Sequence, residues 1–587
     1  MMSIFRTHWR IIPAAFAVGL LIVAPTVSAI RQINPDFKGI YPMFNNDEDQ
    51  YLSMTREAYD GHYNFGSVYL KEHKGAPYLQ QPLAEIIMAE MARISRISIP
   101  ALFALNDFVL PAVGVTALYF LIFAVSGSGS AALIFSSGYY FVLNYWFNRP
   151  VNPQFSFIFL FLGLFLIWKI FGEGTRSLKE YVRLNILLAI DFGIAFYIYP
   201  FVWSSILVVY CLFAAALAYL RTEGVRYYAG NFLAFAVPAG LFSAPYILNL
   251  QRAAADVSYL DQNLRFGFLS THWPHAYFNV ALMFLSLAVL LMSGIGTGRR
   301  GVFAFVLAFS GIILNWQNVI TGKAFSFSMH YYWVVVLFVF IIFAICSGFL
   351  NVAHVSGGIR PRRIAAILLM TAVMGIISYR ERDSISGILS FAEPLDIGEF
   401  RRVQDFSGVS EWLNANSEKD SVVYSLGGNY IQLIPIYTHN NDFYNPNSGL
   451  YMISDDELEN RWAIQNILRK NIDAGYIKEH NVEIWANKFI EKYQNQIVRN
   501  KLLDILSGKQ SEDPEFIPQE YIDRVFWKMD FYRNLGFEKS LAQYGADYVL
   551  LDRNDPEFGH LSDEFRTSDF LILSVEIENH LIFKTVK

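Results

Sequence analysis

The sequence contains little cysteine and little charge. Only two of its 587 residues are cysteines, Cys211 and Cys346, and both lie inside apolar runs. A disulfide framework and a cysteine-based zinc site are therefore excluded. Charged residues make up 17% of the chain, against about 25% in soluble proteins, which argues against a wholly soluble enzyme. The net charge of −5 gives no sign of a nucleic-acid partner, and we expect none.

The common signatures of catalysis and nucleotide binding are absent from the polar part of the chain, residues 380–587. It contains no G-x-G-x-x-G, P-loop, G-x-S-x-G or H-E-x-x-H pattern. The whole chain also shows no convincing internal repeat, whereas secondary transporters are commonly built from repeats. These absences leave the long apolar runs as the main source of information.

The apolar residues are concentrated in the first 379 positions. The chain is 54% hydrophobic and 16% aromatic, with a mean hydropathy of +0.31. Since a membrane-spanning helix needs about 20 mostly apolar residues, we predict an α-helical polytopic membrane domain over residues 1–379. Its eleven predicted spans lie near 11–30, 103–125, 131–147, 154–171, 184–199, 201–220, 230–250, 276–294, 302–318, 331–350 and 364–379. Around Pro200 the pattern fits two short spans or one bent helix.

Basic residues set the expected orientation, because short cytoplasmic loops are enriched in lysine and arginine. With the N-terminus in the cytoplasm and eleven spans, the short outer loops hold four basic residues, namely Arg149, Arg252, Arg265 and Lys323. The cytoplasmic segments hold thirteen: Arg6, Arg10, Lys169, Arg176, Lys179, Arg183, Arg221, Arg226, Arg299, Arg300, Arg360, Arg362 and Arg363. A single helix at Pro200 would break this alternation. The first span also fits a cleaved signal peptide ending near Val27-Ser28-Ala29, an alternative that leaves the next segment outside.

Two polar regions are predicted on the outer face. The first outer loop, residues 31–100, is too long for a plain connector. The second, residues 380–587, alternates a helical pattern at 409–414, a strand at 421–426, helices within 456–505 and a strand at 547–552, which predicts a small α/β domain. Its aromatic residues fit either a sugar-binding surface or, more simply, the core: Tyr424, Tyr430, Tyr437, Phe443 and Tyr444.

The sharpest local pattern lies in the first outer loop. Asn45-Asn46 is followed by Asp47-Glu48-Asp49-Gln50-Tyr51 and by a helical pattern that ends at Gly61. One interpretation is structural, because acids stabilise the first turn of a helix and Asn46 or Asp47 suits the N-cap. The other is functional: a partly desolvated carboxylate at the membrane boundary acts as a general base on a hydroxyl or amine.

This segment resembles the first outer loop of the GT-C superfamily, the integral-membrane glycosyltransferases that use polyprenyl-phosphate-linked sugars. Protein mannosyltransferases and the aminoarabinose transferases of lipid A share an Asp-Glu pair, two variable positions and an aromatic residue, followed by an amphipathic helix. A later stretch, 78–83, is also similar, although the lysine that those families carry before paired prolines is absent. The resemblance implies a GT-C-like fold in which Asp47 is the catalytic base and Glu48 orients it or contacts the acceptor. Asp49 and Tyr51 are then candidate substrate-binding residues.

Asp47 and Asp49 also form an Asp-x-Asp pair, and some relatives use such acids to bind a divalent metal. Carboxylate oxygens suit Mg²⁺ or Mn²⁺. We nevertheless expect chemistry that requires no cofactor. A nucleotide-sugar role for the pair is disfavoured because nucleotide sugars are cytoplasmic and this loop is predicted outside.

A polyprenyl-phosphate donor needs cationic or hydrogen-bonding groups around the leaving phosphate. Arg149 lies between two predicted spans, within the polar loop 148–154, and arginine binds phosphate in a bidentate manner. Gln317, Lys323 and His330 supply further donors in the segment 315–332. The alternative for these residues is an interfacial belt of aromatic and snorkelling side chains.

The sequence therefore predicts an inverting glycosyltransferase that moves a sugar from a polyprenyl-phosphate donor to a lipid, glycan or protein acceptor on the outer face. Two other classes remain open: a transporter or flippase of lipid-linked sugars, and a non-catalytic protein of cell-envelope assembly. The tail contains no Asn-x-Ser/Thr site, which favours a bacterial inner membrane, with the tail periplasmic or extracellular.

Overall fold

The computed structural model describes residues 8–44, 47–173, 177–296, 298–325, 327–354, 361–390, 396–427, 430–508 and 510–586. Asn45 and Asn46, which the sequence places at the start of the acidic pattern, lie outside the described residues. Up to Arg380 the described chain is helical, with helices α1 (Ile11–Ile33), α2 (Glu48–Tyr59), α3 (Leu83–Ser95), α4 (Ile99–Ser126), α5 (Gly129–Val142), α6 (Asn144–Phe147), α7 (Ser156–Phe171), α8 (Leu178–Phe196), α9 (Pro200–Tyr219), α10 (Val225–Ala254), α11 (Tyr259–Arg265), α12 (Tyr277–Ser293), α13 (Arg299–Thr321), α14 (Tyr331–His354) and α15 (Pro361–Arg380).

A helix lies at each of the eleven predicted spans. By length and composition, seven of the described helices are able to cross a membrane: α1, α4, α9, α10, α13, α14 and α15. Helices α7 and α12 are apolar but shorter. Helix α5 has only 14 residues, and α8 begins with the polar stretch Leu178–Arg183, so neither is a complete apolar span by itself. The apolar helices make the chain an integral membrane protein.

The apolar run around Pro200 forms two helices. Helix α8 ends at Phe196. Tyr199 is extended, with φ −156° and ψ 122°, and Pro200 occupies the first turn of α9. Proline suits that position because its missing N–H has no partner in the first turn of a helix. The two-helix interpretation of this run is therefore the right one.

The tail carries a small α/β sheet domain, as the alternating pattern predicts. Strands β3 (Val422–Leu426), β4 (Asn441–Asp442) and β5 (Tyr548–Asp552) pair in parallel, while β6 (Leu571–Ile577) and β7 (His580–Thr585) form an antiparallel hairpin whose second strand pairs with β5. Within the membrane half, β1 (Leu269–Ser270) and β2 (Lys323–Ala324) form a two-stranded ribbon. The sequence pattern missed the hairpin and found β3 and β5.

Helices cover the sheet and connect it to the membrane half. They are α16 (Arg382–Ser390), α17 (Ile397–Arg402), α18 (Phe406–Asn416), α19 (Tyr430–Tyr437), α20 (Asp455–Gln465), α21 (Ala474–Glu479), α22 (Asn481–Trp485), α23 (Ile490–Ser507), α24 (Gln519–Leu535), α25 (Phe537–Ala542) and α26 (Ser562–Arg566). Of the tail's aromatic residues, Tyr424, Tyr430, Phe443 and Tyr444 are buried. They belong to the packed core and form no open sugar-binding surface.

The tail packs against the outer loops through buried polar contacts. The Arg265 side chain is fully buried; its guanidinium lies 2.5 Å from a carboxylate oxygen of Asp455 and donates to the carbonyl of Gly449 at 2.7 Å. Lys488 pairs with the same carboxylate. Arg461 of the tail reaches back to Glu72 of the first outer loop at 2.9 Å. Since breaking a buried ion pair leaves an uncompensated charge, these contacts fix the tail against residues 31–100 and 259–265 of the membrane half.

We expect Arg265→Met to loosen this attachment. The substitution leaves Asp455 with one cation and leaves the tail carbonyls that Arg265 binds without a donor. A cost of about 3 kcal/mol would lower the midpoint of thermal unfolding by roughly 10 °C for a domain of this size, measured on the detergent-solubilised protein. Arg252→Met, at an exposed position of the same outer segment, is the matched control. Equal midpoints for the two variants would contradict the assigned role of Arg265.

Candidate functional site

Asp47 lies at the start of helix α2, in the N-cap position, but its side chain makes no capping hydrogen bond. The carboxylate instead forms an ion pair with Arg149, which belongs to the loop between α6 and α7. The Asp47 side chain is 46% exposed and that of Arg149 only 6% exposed. The first outer loop is thus joined to the membrane helices by a charge pair that is open to solvent on its acidic side.

Not every N–H donor of the Arg149 guanidinium has a hydrogen-bond partner among the described residues. Its Nη2 contacts Asp47 and lies 3.5 Å from the Tyr51 hydroxyl, while its Nε is buried without a hydrogen-bond partner. The guanidinium carbon lies 5.4 Å from the centre of the Trp333 ring, a cation–π contact. Burial lowers the pKa of Arg149 from its usual value, although arginine remains charged in proteins. Such an unsatisfied buried donor needs a partner that the described residues do not supply, and an anion is one group that would satisfy it.

The rings of Tyr199, His330 and Trp333 form a cluster next to Arg149. The Tyr199 hydroxyl lies 2.6 Å from His330 Nδ1, and the His330 ring stacks on Trp333 with centroids 4.6 Å apart. Burial, and then the positive charge of Arg149, lower the pKa of His330 well below its usual range. The imidazole is therefore neutral at pH 7, so it can bind a phosphate only by donating a hydrogen bond.

The two acids that follow Asp47 have structural partners. Glu48 is buried and accepts a hydrogen bond from the Phe44 backbone N–H at 2.9 Å. Asp49 is also buried and accepts from the Asn447 side chain of the tail at 2.8 Å. Burial raises the pKa of Asp49 to about 6. Of the three consecutive acids, Asp47 alone presents a substantially exposed carboxylate.

The Asp-x-Asp pair does not converge on one point. The Asp47 carboxylate pairs with Arg149 of the membrane half, whereas the Asp49 carboxylate accepts a hydrogen bond from Asn447 of the tail. Among the described residues there is no group of three or more His, Cys, Asp or Glu side chains that would hold a metal ion. Asp47 already has a cation beside it, because Arg149 occupies the place next to its carboxylate.

Gln317 and Lys323 lie at a separate place, the end of α13 and strand β2. The Lys323 ammonium is exposed and donates to Ser270 Oγ at 2.8 Å, and the Gln317 amide donates to the Lys323 carbonyl at 2.8 Å. Within the described residues, neither has a contact with Asp47, Arg149 or His330. The sequence grouped them with His330, but their hydrogen bonds support the β1–β2 ribbon.

Sequence reasoning did not assign three residues of this cluster. Asn152, whose amide lies 3.4 Å from the Tyr51 hydroxyl, belongs to the same polar loop as Arg149. Tyr199 comes directly before the Pro200 break, and Trp333 follows His330 by three positions, so one helical turn places their rings together. The sequence signal that could have identified Tyr199 and Trp333 is the presence of aromatic residues at predicted helix ends, close to a predicted site residue.

A cavity of about 1160 Å³ adjoins the cluster. Trp333 contributes to both, and Asn148, the neighbour of Arg149, also lines the cavity. Helix α1 forms an apolar part of the wall with Leu21 and Ile22, and α23 of the tail forms a polar part. Small-molecule sites usually measure about 300–1,000 Å³, so the space accommodates a ligand larger than a single small molecule.

Comparison with known proteins supports the fold assignment. No family model matches the chain, and no curated protein matches it by sequence. Its fold is similar to the cryo-EM structure of the arabinofuranosyltransferase AftD from mycobacteria, with a TM-score of 0.52 and 12% sequence identity. The alignment covers 98% of this chain and 40% of that one, so the chain spans less than half the length of this neighbour. At this identity the likeness establishes the fold alone: a polytopic helical membrane protein with a C-terminal sheet domain.

Proposed function

We propose that the protein is a membrane glycosyltransferase that transfers a sugar from a polyprenyl-phosphate donor to an acceptor on the outer face of a bacterial inner membrane. In this proposal the N-terminus is cytoplasmic and the tail is periplasmic or extracellular. The observation that carries the proposal is the pairing of an accessible carboxylate, Asp47, with a buried arginine, Arg149, whose Nε is unsatisfied. The fold likeness to an arabinofuranosyltransferase is consistent with the reaction class.

The proposed reaction is a single displacement. The acceptor hydroxyl attacks the anomeric carbon, its proton passes to the Asp47 carboxylate, and the carbon–oxygen bond to the lipid phosphate breaks with its electron pair on the phosphate oxygen. Attack from the face opposite the leaving group inverts the anomeric configuration. General-base assistance of this kind contributes about 10²–10⁴-fold to the rate.

Arg149 is assigned to the leaving phosphate. Its contacts with Asp47 and Tyr51 use Nη2, its guanidinium carbon lies 5.4 Å from the centre of the Trp333 ring, and its Nε has no hydrogen-bond partner among the described residues. A guanidinium in a site that excludes water stabilises developing negative charge more strongly than one in bulk water. The neutral His330 imidazole, held by Tyr199, adds a hydrogen-bond donor. The proposal requires no metal ion or other cofactor.

We expect Asp47→Asn to abolish transfer, with a loss of about 10²–10⁴-fold, because an amide accepts no proton. The measurement is turnover of radiolabelled polyprenyl-phosphate sugars in membranes, alongside expression and monodispersity of the purified protein. Asp60→Asn is the matched control, since Asp60 ends the same helix and pairs with Arg56 at 2.7 Å. Full activity of the Asp47 variant would rule out the proposed base. Absence of transfer by the unmodified protein would instead favour a transporter or assembly role.

Arg149→Lys tests the assignment of the leaving-group contact. Lysine keeps the charge but lacks the planar fork of donors, so we expect kcat to fall by about 10²-fold with expression unchanged. Arg93→Lys, in the same outer loop but exposed, is the control. Because residues that act as one unit are not additive, the double variant with Asp47→Asn should be no slower than Asp47→Asn alone. A product of the two losses would show independent roles.

Asp49 is expected to behave as a structural acid, and stability measured against pH separates it from Asp47. Its pKa is raised by burial to about 6, above the unfolded value of about 3.9. The folded state therefore loses stability as pH rises from 4 through 6, by up to about 3 kcal/mol, and none is lost below pH 4. Asp49→Asn should raise the thermal midpoint at pH 8 and leave it unchanged at pH 4. Asp36→Asn, half exposed and paired with Arg401, is the control, and an equal shift at both pH values would contradict this interpretation.

A further inference from the structure

The chemistry of the cavity wall indicates which acceptor the protein takes. We propose that the cavity of about 1160 Å³ between α1, α14 and α23 binds a neutral glycan as the acceptor. The inference rests on the proposed glycosyltransferase function and selects one of its three acceptor classes. Neither Asp47 nor Arg149 lines the cavity.

Charge argues against the donor phosphate as the occupant. The charged groups of the wall include three carboxylates, those of Glu381, Asp383 and Glu491, and one guanidinium, that of Arg380. Arg380 itself lies over the rings of Phe278 and Tyr332, at 4.4 and 4.7 Å. An excess of negative charge repels a phosphate but accepts hydrogen bonds from hydroxyl groups. The charges of the wall therefore disfavour a phosphate and favour an uncharged ligand that bears hydroxyl groups.

Free amides on the wall supply the matching donors and acceptors. Gln494 of the tail helix α23 and Asn148 of the membrane half both line the cavity, and within the described residues their side chains make no hydrogen bond. An amide offers two donor hydrogens and an acceptor oxygen, which suits the mixed donor and acceptor character of hydroxyl groups. These two amides lie on opposite parts of the chain, so a ligand that uses both is held between the tail and the membrane helices.

Aromatic rings provide the apolar surfaces on which a sugar face packs. Tyr145 is 44% exposed and lines the cavity, with its ring 5.3 Å from that of Trp146. Rings with a polar end are suited to ligands that are apolar on one face and hydroxylated at the edge. The volume exceeds the usual range for small molecules of about 300–1,000 Å³, so an oligosaccharide fits the space better than a monosaccharide.

The position of the cavity connects this ligand to the chemistry. Asn148 and Trp333 belong to its wall, and they are respectively the chain neighbour and the ring partner of Arg149. A glycan end that reaches this part of the wall approaches the Asp47–Arg149 pair from the outer side. A protein acceptor would instead need an extended groove, with strand edges or backbone groups that bind a peptide.

The test is direct binding of neutral oligosaccharides of mannose, galactose, glucose and arabinose to the detergent-solubilised full chain, measured by calorimetry without donor. We expect at least one to bind and to bind about three- to tenfold more weakly to Gln494→Leu and to Tyr145→Ala, the range for loss of one hydrogen bond or contact. Gln496→Leu is the matched control, since Gln496 belongs to the same helix but does not line the cavity. It should bind like the unmodified protein.

Two results would overturn the proposal: no binding by any oligosaccharide of the panel, or binding that the Gln494 and Tyr145 variants leave unchanged. Tight binding of a serine- and threonine-rich peptide that Gln494→Leu weakens would assign the cavity to a protein acceptor instead. Because the assay uses no donor, Asp47→Asn should bind the glycan normally. Glycan binding with unimpaired transfer by Asp47→Asn would therefore reject the proposed base and keep the acceptor site.

Discussion

A buried arginine loses its hydrogen bonds to water, and protein groups must replace them. The described residues replace only part of them for Arg149. One carboxylate, Asp47, and one ring, Trp333, face the guanidinium, while Nε remains without a partner. Because desolvating a charge costs several kcal/mol, the pair holds the start of α2 against the loop before α7. This attachment also positions the contact with the tail, since α2 carries Asp49, which accepts a hydrogen bond from Asn447.

The tail also contacts α2 and the rest of the first outer loop. Asn447 binds Asp49, two positions after Asp47, and the Asp442 backbone N–H donates to the Tyr69 carbonyl of the first outer loop at 3.0 Å. Arg265 adds a buried ion pair with Asp455, and the buried Arg461 adds one with the more exposed Glu72. The first outer loop is therefore held between membrane helices and sheet domain, which restricts the position of a carboxylate that would otherwise move with a flexible segment.

Sequence patterns predicted the helices well because long apolar runs leave few alternatives, and Pro200 together with the basic residues resolved the ambiguous run. The sequence proposed Asp47 as a base and, separately, Arg149 as a phosphate ligand, but it did not predict their direct pairing. The sequence pattern grouped Lys323 with His330 because the two are close along the chain. It did not reveal that Lys323 belongs to the β1–β2 ribbon, where its ammonium donates to Ser270. Tyr199 and Trp333 look like ordinary interfacial aromatics until the fold brings them to one imidazole.

The wall of the cavity joins the earliest and some of the latest parts of the chain. Leu21 and Ile22 of α1 lie on one side and Gln494 of α23 on the other, so more than 470 residues of sequence separate the two sides. At about 5–20 residues per second of synthesis, the second side follows the first by on the order of a minute. Once α15 has ended at Arg380 and before α23 is made, the membrane helices are complete while the cavity lacks one wall. Biosynthesis thus imposes a delay on the assembly of this space, and a chain arrested between α15 and α23 contains both Asp47 and Arg149 but lacks the α23 side of the cavity.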